Sequence, residues 1–107
     1  MNASIDFLND HTLAVYSSNW CPDCARLEQW MTSRKVPHEK VLIDETPEAA
    51  EKLENETGKQ AVPFILVDDK TWVRGYHREE RSRFSEAKLL DELRAAIGAP
   101  GSATPAP

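Results

Sequence analysis

Pro22 fixes much of what this chain can become. Its ring holds φ near the helical value and leaves no amide hydrogen, so it suits the first position of a helix and little else inside one. Behind it Cys24, Leu27, Trp30 and Met31 recur at helical spacing, an apolar face running to about Arg34. Ahead of it Leu13-Ala14-Val15-Tyr16 is a short apolar strand candidate that ends in the polar Ser17-Ser18-Asn19. Strand, tight loop and helix in that order open an α/β chain. The loop and first turn carry Cys21-Pro22-Asp23-Cys24.

The later elements follow the same kind of signal. Val36-Pro37 breaks the first helix, and Val41-Leu42-Ile43 reads as a second strand, buried on both faces by its continuous apolarity. Thr46-Pro47 gives a cap and first turn for a second helix, with Ala50 and Leu53 inward and Gly58 as its stop. From Ala61 to Val67 the chain is strand-like. Asp68-Asp69-Lys70 then turns into a paired strand, Thr71-Trp72-Val73. Ser85 caps a third helix with the stripe Leu89, Leu90, Leu93, Ala96 and Ile97, and Gly98 ends it. Phe84 and Leu89 stand where a hydrophobic staple would join.

The order βαβαββα predicts a four-stranded mixed sheet with helices on both faces. Its first two strands are parallel through a right-handed crossover, and a hairpin adds an antiparallel pair. Cys21 then falls just beyond the carboxyl end of the first strand, where such sheets place their sites. At 107 residues there is room for one core, assigned to residues 1–98. Residues 99–107, mostly Pro, Gly, Ser and Ala, read as a disordered tail.

Charge narrows the partners. A net charge of −5 argues against non-specific binding to nucleic acid or to an anionic membrane. Glu45, Glu48, Glu51, Glu54 and Glu56 read as a solvated helix face. Met1 to Asp10 holds no basic cluster or long apolar run, so no secretory signal is visible. The apolar run ending at Val67 is too short to span a bilayer. These features predict a cytoplasmic protein, and in that reducing compartment a C-x-x-C pair reads as catalytic or metal-binding.

Three residues apart at a helix start, the two sulfurs share a face and lie within disulfide reach. Cys21 meets the free amides and dipole of the first turn, which favour a thiolate, whereas Cys24 lies a turn inside on the apolar stripe. The asymmetry makes Cys21 the attacking sulfur and Cys24 the resolving one. Asp23, a carboxylate beside them, works against the thiolate. A zinc site lacks a second cysteine pair, and His11, His38 and His77 lack ligand spacing. We expect no metal and read the histidines as surface residues.

Val15-Tyr16-Ser17-Ser18-Asn19-Trp20-Cys21-Pro22-Asp23-Cys24, the Pro47-Glu48-Ala49-Ala50 of the second helix, and Gly58-Lys59-Gln60-Ala61-Val62-Pro63 together resemble the glutaredoxins. The similarity is greatest to small glutaredoxin-like proteins with Trp-Cys-Pro-Asp-Cys and to the mycoredoxins, and covers Leu13 to Gly98. It implies a thioredoxin-like, glutaredoxin-type α/β fold with about three helices. It further implies a cis peptide before Pro63 facing the dithiol, and Val62 backbone groups that pair with an extended substrate. On the same ground Ser18, Trp20, Pro22, Asp23, Val62, Pro63, Gly75 and Tyr76 are expected around the substrate, with Cys21 and Cys24 as the redox pair.

Departures from the family shape the expected partners. Glutathione-using glutaredoxins carry Lys three before the first cysteine, where this chain has Ser18, so weak use of glutathione is expected. The acid that thioredoxins place six before it is replaced by Val15. Gly75-Tyr76 is similar to the Gly-Phe that follows strand four in ribonucleotide-reductase redoxins. Arg74, Arg78, Arg81 and Arg83 make a basic patch, read as solvated loop charge.

The resulting expectation is a monomeric thiol–disulfide oxidoreductase without a bound cofactor. It would reduce disulfide-containing or S-thiolated proteins, with a low-molecular-weight thiol as co-substrate or a flavin reductase as electron donor. The alternatives are a redoxin that donates electrons to ribonucleotide reductase, and an iron–sulfur or metal carrier binding through Cys21, which the stiff Pro22 disfavours.

Overall fold

The structure, a computed structural model, describes residue 8 and residues 11–98. The sequence expectations for residues 1–7 and for the tail beyond residue 98 lie outside that range. Seven elements follow in the expected order: β1 (Leu13–Ser17), α1 (Pro22–Ser33), β2 (Glu39–Leu42), α2 (Pro47–Thr57), β3 (Phe64–Val67), β4 (Thr71–Arg74) and α3 (Glu86–Gly98). The four strands form one sheet in the order β2-β1-β3-β4. β1 and β2 are parallel, while β3 is antiparallel to both β1 and β4.

Strand alternation builds two cores, one on each face. Leu13 and Val15 of β1, with Ile65 and Val67 of β3, pack with Leu27 and Met31 of α1 and Leu89 and Leu93 of α3. Tyr16, Phe64 and Leu66 point the other way, onto Ala49 and Leu53 of α2 and onto Trp72 and Tyr76. Tyr16 and Trp72 meet edge to face at 4.8 Å, a favoured aromatic geometry.

Caps fix the helix ends. Cys21 is the N-cap of α1 and Pro22 its first residue. Gly58 ends α2 at φ 85°, a left-handed conformation that glycine adopts without a Cβ penalty. The Ser85 hydroxyl accepts the Lys88 N–H at 3.2 Å at the start of α3. Phe84 packs against the core cluster to which Leu89 belongs.

Several expectations need correction. β2 is not buried on both faces: it is an edge strand, with Glu39 and Lys40 exposed and Val41 and Leu42 half-buried, because only β1 flanks it. The inward residues of α2 are Ala49 and Leu53 rather than Ala50 and Leu53, and Thr46 caps without a side-chain hydrogen bond. β3 begins at Phe64 rather than Ala61. His77 is not on the surface at all; it is fully buried.

Candidate active site

Register assembles the site. β1 and β3 are antiparallel with Tyr16 opposite Phe64, so the chain entering β3 meets the chain leaving β1. Phe64 in turn faces Arg74, which sets Gly75 beside Pro63. Cys21, Val62-Pro63 and Gly75-Tyr76 therefore converge at one end of the central strands. The Val62–Pro63 peptide is cis, as the resemblance implies. Gly75 donates its N–H to the Pro63 carbonyl at 2.9 Å. A Cβ at Gly75 would lie 2.6 Å from Cδ2 of Leu27 and 3.2 Å from the ring and the carbonyl oxygen of Pro63. Only glycine lets β4 close on α1 and Pro63 this tightly.

Both cysteines are free thiols, and they differ in setting as the helix position predicts. Cys21 is half-buried; its sulfur accepts the Cys24 N–H at 3.1 Å and donates to the Val62 carbonyl at 3.8 Å. Cys24 is 4% exposed. Burial pushes its thiol up to about 12, neighbouring Cys21 acts the same way, and the Ser18 backbone and Ser17 hydroxyl oppose them more weakly. Cys24 is thus a protonated thiol held behind an accessible sulfur, the arrangement a resolving cysteine needs.

The surrounding residues fall into two groups. Trp20 stands 75% exposed beside Cys21, Pro22 is exposed, and Val62 is half-buried. Ser18 instead is buried, and its hydroxyl donates to Asp44 at 2.7 Å, where the Asn19 N–H also donates at 2.8 Å. These two bonds, the Asn19 amide first, hold the Asp44 carboxyl below the usual range. Ser18 therefore shapes the loop before Cys21 and does not point into open space. Tyr76 is buried with its ring 5.9 Å from that of Phe64, and the Arg78 guanidinium lies over the Tyr76 ring, 5.7 Å from its centre.

Asp23 is not the bare charge that its sequence position suggests. Arg83 grips it through Nε, 3.2 Å from each oxygen, and Nη2, 2.7 Å from Oδ2, while Arg26 Nη1 reaches Oδ1 at 2.8 Å. Arg83, then Arg26, holds this carboxyl below the usual range. Two members of the basic patch are thus paired rather than loosely solvated, since Arg74 binds both Glu79 and Glu92. Sequence reasoning grouped Arg83 with loop charge; nothing at its position signals that it folds back sixty residues onto α1. Among the described residues no cluster of three or more His, Cys, Asp or Glu is placed to hold a metal ion. Nor is any described helix long and apolar enough to cross a membrane.

A C-x-x-C at the N-terminus of α1, set against a cis-proline on a four-stranded mixed sheet, defines a dithiol protein of thioredoxin-like fold. The glutaredoxin family profile matches residues 13–72, more than half of the chain, and the chain belongs to that family. It is 37% identical over 57 residues to the glutaredoxin-like protein NrdH of Lactococcus lactis, covering 53% of this chain and 78% of that one. A glutaredoxin of Pseudomonas aeruginosa is 29% identical over 84 residues, 78% of this chain and 96% of its own. Among solved structures, the Archaeoglobus fulgidus glutaredoxin superposes with a TM-score of 0.59 at 24% identity, covering 87% of this chain and 97% of that one, which supports the fold.

Proposed function

We infer that this chain is a dithiol redoxin that passes two electrons from Cys21 and Cys24 to protein disulfides, with ribonucleotide reductase as its target class. The observation that carries the reading is the asymmetric pair: an accessible Cys21 sulfur at the N-cap and a buried, protonated Cys24 behind it. The NrdH-type relatives and Gly75-Tyr76 support ribonucleotide reductase over the mycoredoxin-like reduction of mixed disulfides that the Trp-Cys-Pro-Asp-Cys motif suggests.

The exchange runs in two displacements. The Cys21 thiolate attacks one sulfur of the substrate disulfide; a new S–S bond joins them and the other substrate sulfur leaves as a thiolate, which takes up a proton. Cys24 then loses its proton and attacks Cys21, releasing the second substrate thiol. The protein is left with a Cys21–Cys24 disulfide and the substrate with two thiols. The Cys24 N–H, already donating to the Cys21 sulfur, is placed to stabilise negative charge there. Trp20 and the Val62 backbone would receive the segment that flanks the substrate disulfide.

A cytoplasmic monomer of this kind is reset by a flavin reductase in preference to glutathione, because Ser18 offers no charge to a tripeptide carboxylate and is already spent on Asp44. The test offers NADPH with thioredoxin reductase, glutathione, mycothiol and bacillithiol in parallel, with turnover of a ribonucleotide reductase as readout. We expect the reductase to support turnover at least about tenfold better than glutathione. Equal rates, or preference for one of the small thiols, would favour mixed-disulfide reduction instead. In the same assay Cys21→Ser should abolish turnover, and Cys24→Ser should accumulate an adduct on Cys21 visible by mass spectrometry. Turnover that survives Cys21→Ser would remove the reading.

A further inference from the structure

Asp23 stands between the two cysteines, with its side chain only 15% exposed. Arg26 binds it from one turn along α1, but the stronger hold comes from Arg83 on the far side of the chain, through three contacts of 2.7 to 3.2 Å. Arg83 is itself aimed. Its backbone takes φ +64°, a left-handed value uncommon outside glycine. Its N–H donates to the Glu80 carbonyl at 3.0 Å, and its own carbonyl accepts the His77 N–H at 2.9 Å. The Ser85 N–H donates to His77 Nδ1 at 3.1 Å and closes the loop behind it.

We propose that Arg83 is a positioning residue of the dithiol: reaching across from the β4–α3 loop, it clasps both oxygens of Asp23 and keeps that carboxylate from turning onto the Cys21 sulfur. The inference rests on Cys21 being the attacking sulfur. The charged and titratable groups around the dithiol are Cys24, Asp23 and Arg26 from α1, and Arg83 and Tyr76 from the β4 end, Arg83 lying in the field of both Cys21 and Tyr76. Asp44, from beyond β2, is turned to the Ser18 hydroxyl and the Asn19 amide. Asp23 is therefore the carboxylate whose direction decides the charge met by an incoming disulfide. A guanidinium fork fixes that direction with two parallel contacts, which a lysine cannot supply.

The local charge can be read by chemistry independent of any redox partner. In Cys24→Ser protein Cys21 is the one remaining thiol, and iodoacetate, an anion, and iodoacetamide, which is neutral, both alkylate it with loss of iodide. Thiolate population and access affect both reagents alike, so their rate ratio reports charge beside the sulfur. Arg83→Gln should lower the iodoacetate/iodoacetamide ratio by about threefold, and high salt should shrink the difference. In an Asp23→Asn background the same substitution should change the ratio by less than half as much on a logarithmic scale. An unchanged ratio in Arg83→Gln would overturn the proposal. So would an equal fall in both backgrounds, which would make Arg83 a bare charge near Cys21. Arg83→Lys keeps the charge and spares the loop, and should lower the ratio partway; a ratio equal to that of the unsubstituted protein would overturn the clasp. Failure of the redox reading shows elsewhere, as disulfide reduction that survives Cys21→Ser, and leaves these ratios untouched.

Discussion

Gly75 shows how little space separates chemistry from packing. It has no room for a side chain, because Leu27, directly beneath the dithiol in α1, and Pro63 both close on it. Gly75→Ala must push on one or the other. The Leu27 methyl can yield, but the Pro63 carbonyl is backbone and already bonded to the Gly75 N–H. We expect a loss of about 1–3 kcal/mol, the usual cost of overpacking, measured as a lower urea midpoint with unchanged slope. Disulfide reduction should fall by more than the unfolded fraction accounts for, since the strain is delivered between the cysteines and the cis-proline. Reduction that tracks the folded fraction alone would confine Gly75 to a packing role.

Among the elements, the β4–α3 loop is the one that sequence reading missed. The strands and helices were legible because apolar residues repeat with period 2 or 3.6 and caps punctuate them. The cysteines were legible because a strand and Pro22 fix their place. Pairings across the fold carry no such period, so Arg83 with Asp23, Ser18 with Asp44, and the burial of His77 could not be read. The imidazole of His77 accepts the Ser85 N–H at Nδ1, which puts its proton on Nε2. That atom has no hydrogen-bond partner among the described residues and lies 3.7 Å from a Glu92 oxygen. Burial, the largest cause, pushes the His77 pKa below its ordinary value; Glu92 opposes this and Arg74 assists it. Below roughly pH 6.5 the unfolded chain therefore binds a proton that the folded one refuses. Stability is fully present above that pH and is lost as pH falls toward the folded pKa. His77→Asn keeps an acceptor for Ser85 without titrating. Between about pH 7 and 5 its urea midpoint should fall less steeply than that of the unsubstituted protein, by up to about 1.4 kcal/mol per pH unit in the corresponding free energy. Parallel curves would show that other groups govern the acid limb.

At the scale of the whole molecule, two cores share the central strands but only one of them underlies the dithiol. Leu27 and Leu53 are both fully buried, one in α1 against α3, the other in α2 on the opposite face. Truncating either to Ala should cost about 2–5 kcal/mol, since each leaves a comparable cavity. Leu27→Ala should also alter the alkylation rate of Cys21 in folded protein, while Leu53→Ala should not. Calorimetry and stopped-flow alkylation on the pair would check this; a Cys21 rate that shifts equally in both would show the sheet transmits packing from face to face.

The pairing of β1 with β3 also has a consequence in time. Ribosomes make proteins from the N-terminus, so both cysteines emerge well before Phe64 and the proline ahead of it. Until that later stretch arrives, β1 lacks its central neighbour and the two thiols have neither the Val62 carbonyl nor a buried pocket around them. The nascent chain thus carries the two thiols without the burial that pushes Cys24 up, and that part of the difference between them is made only when the second half of the protein closes over the first.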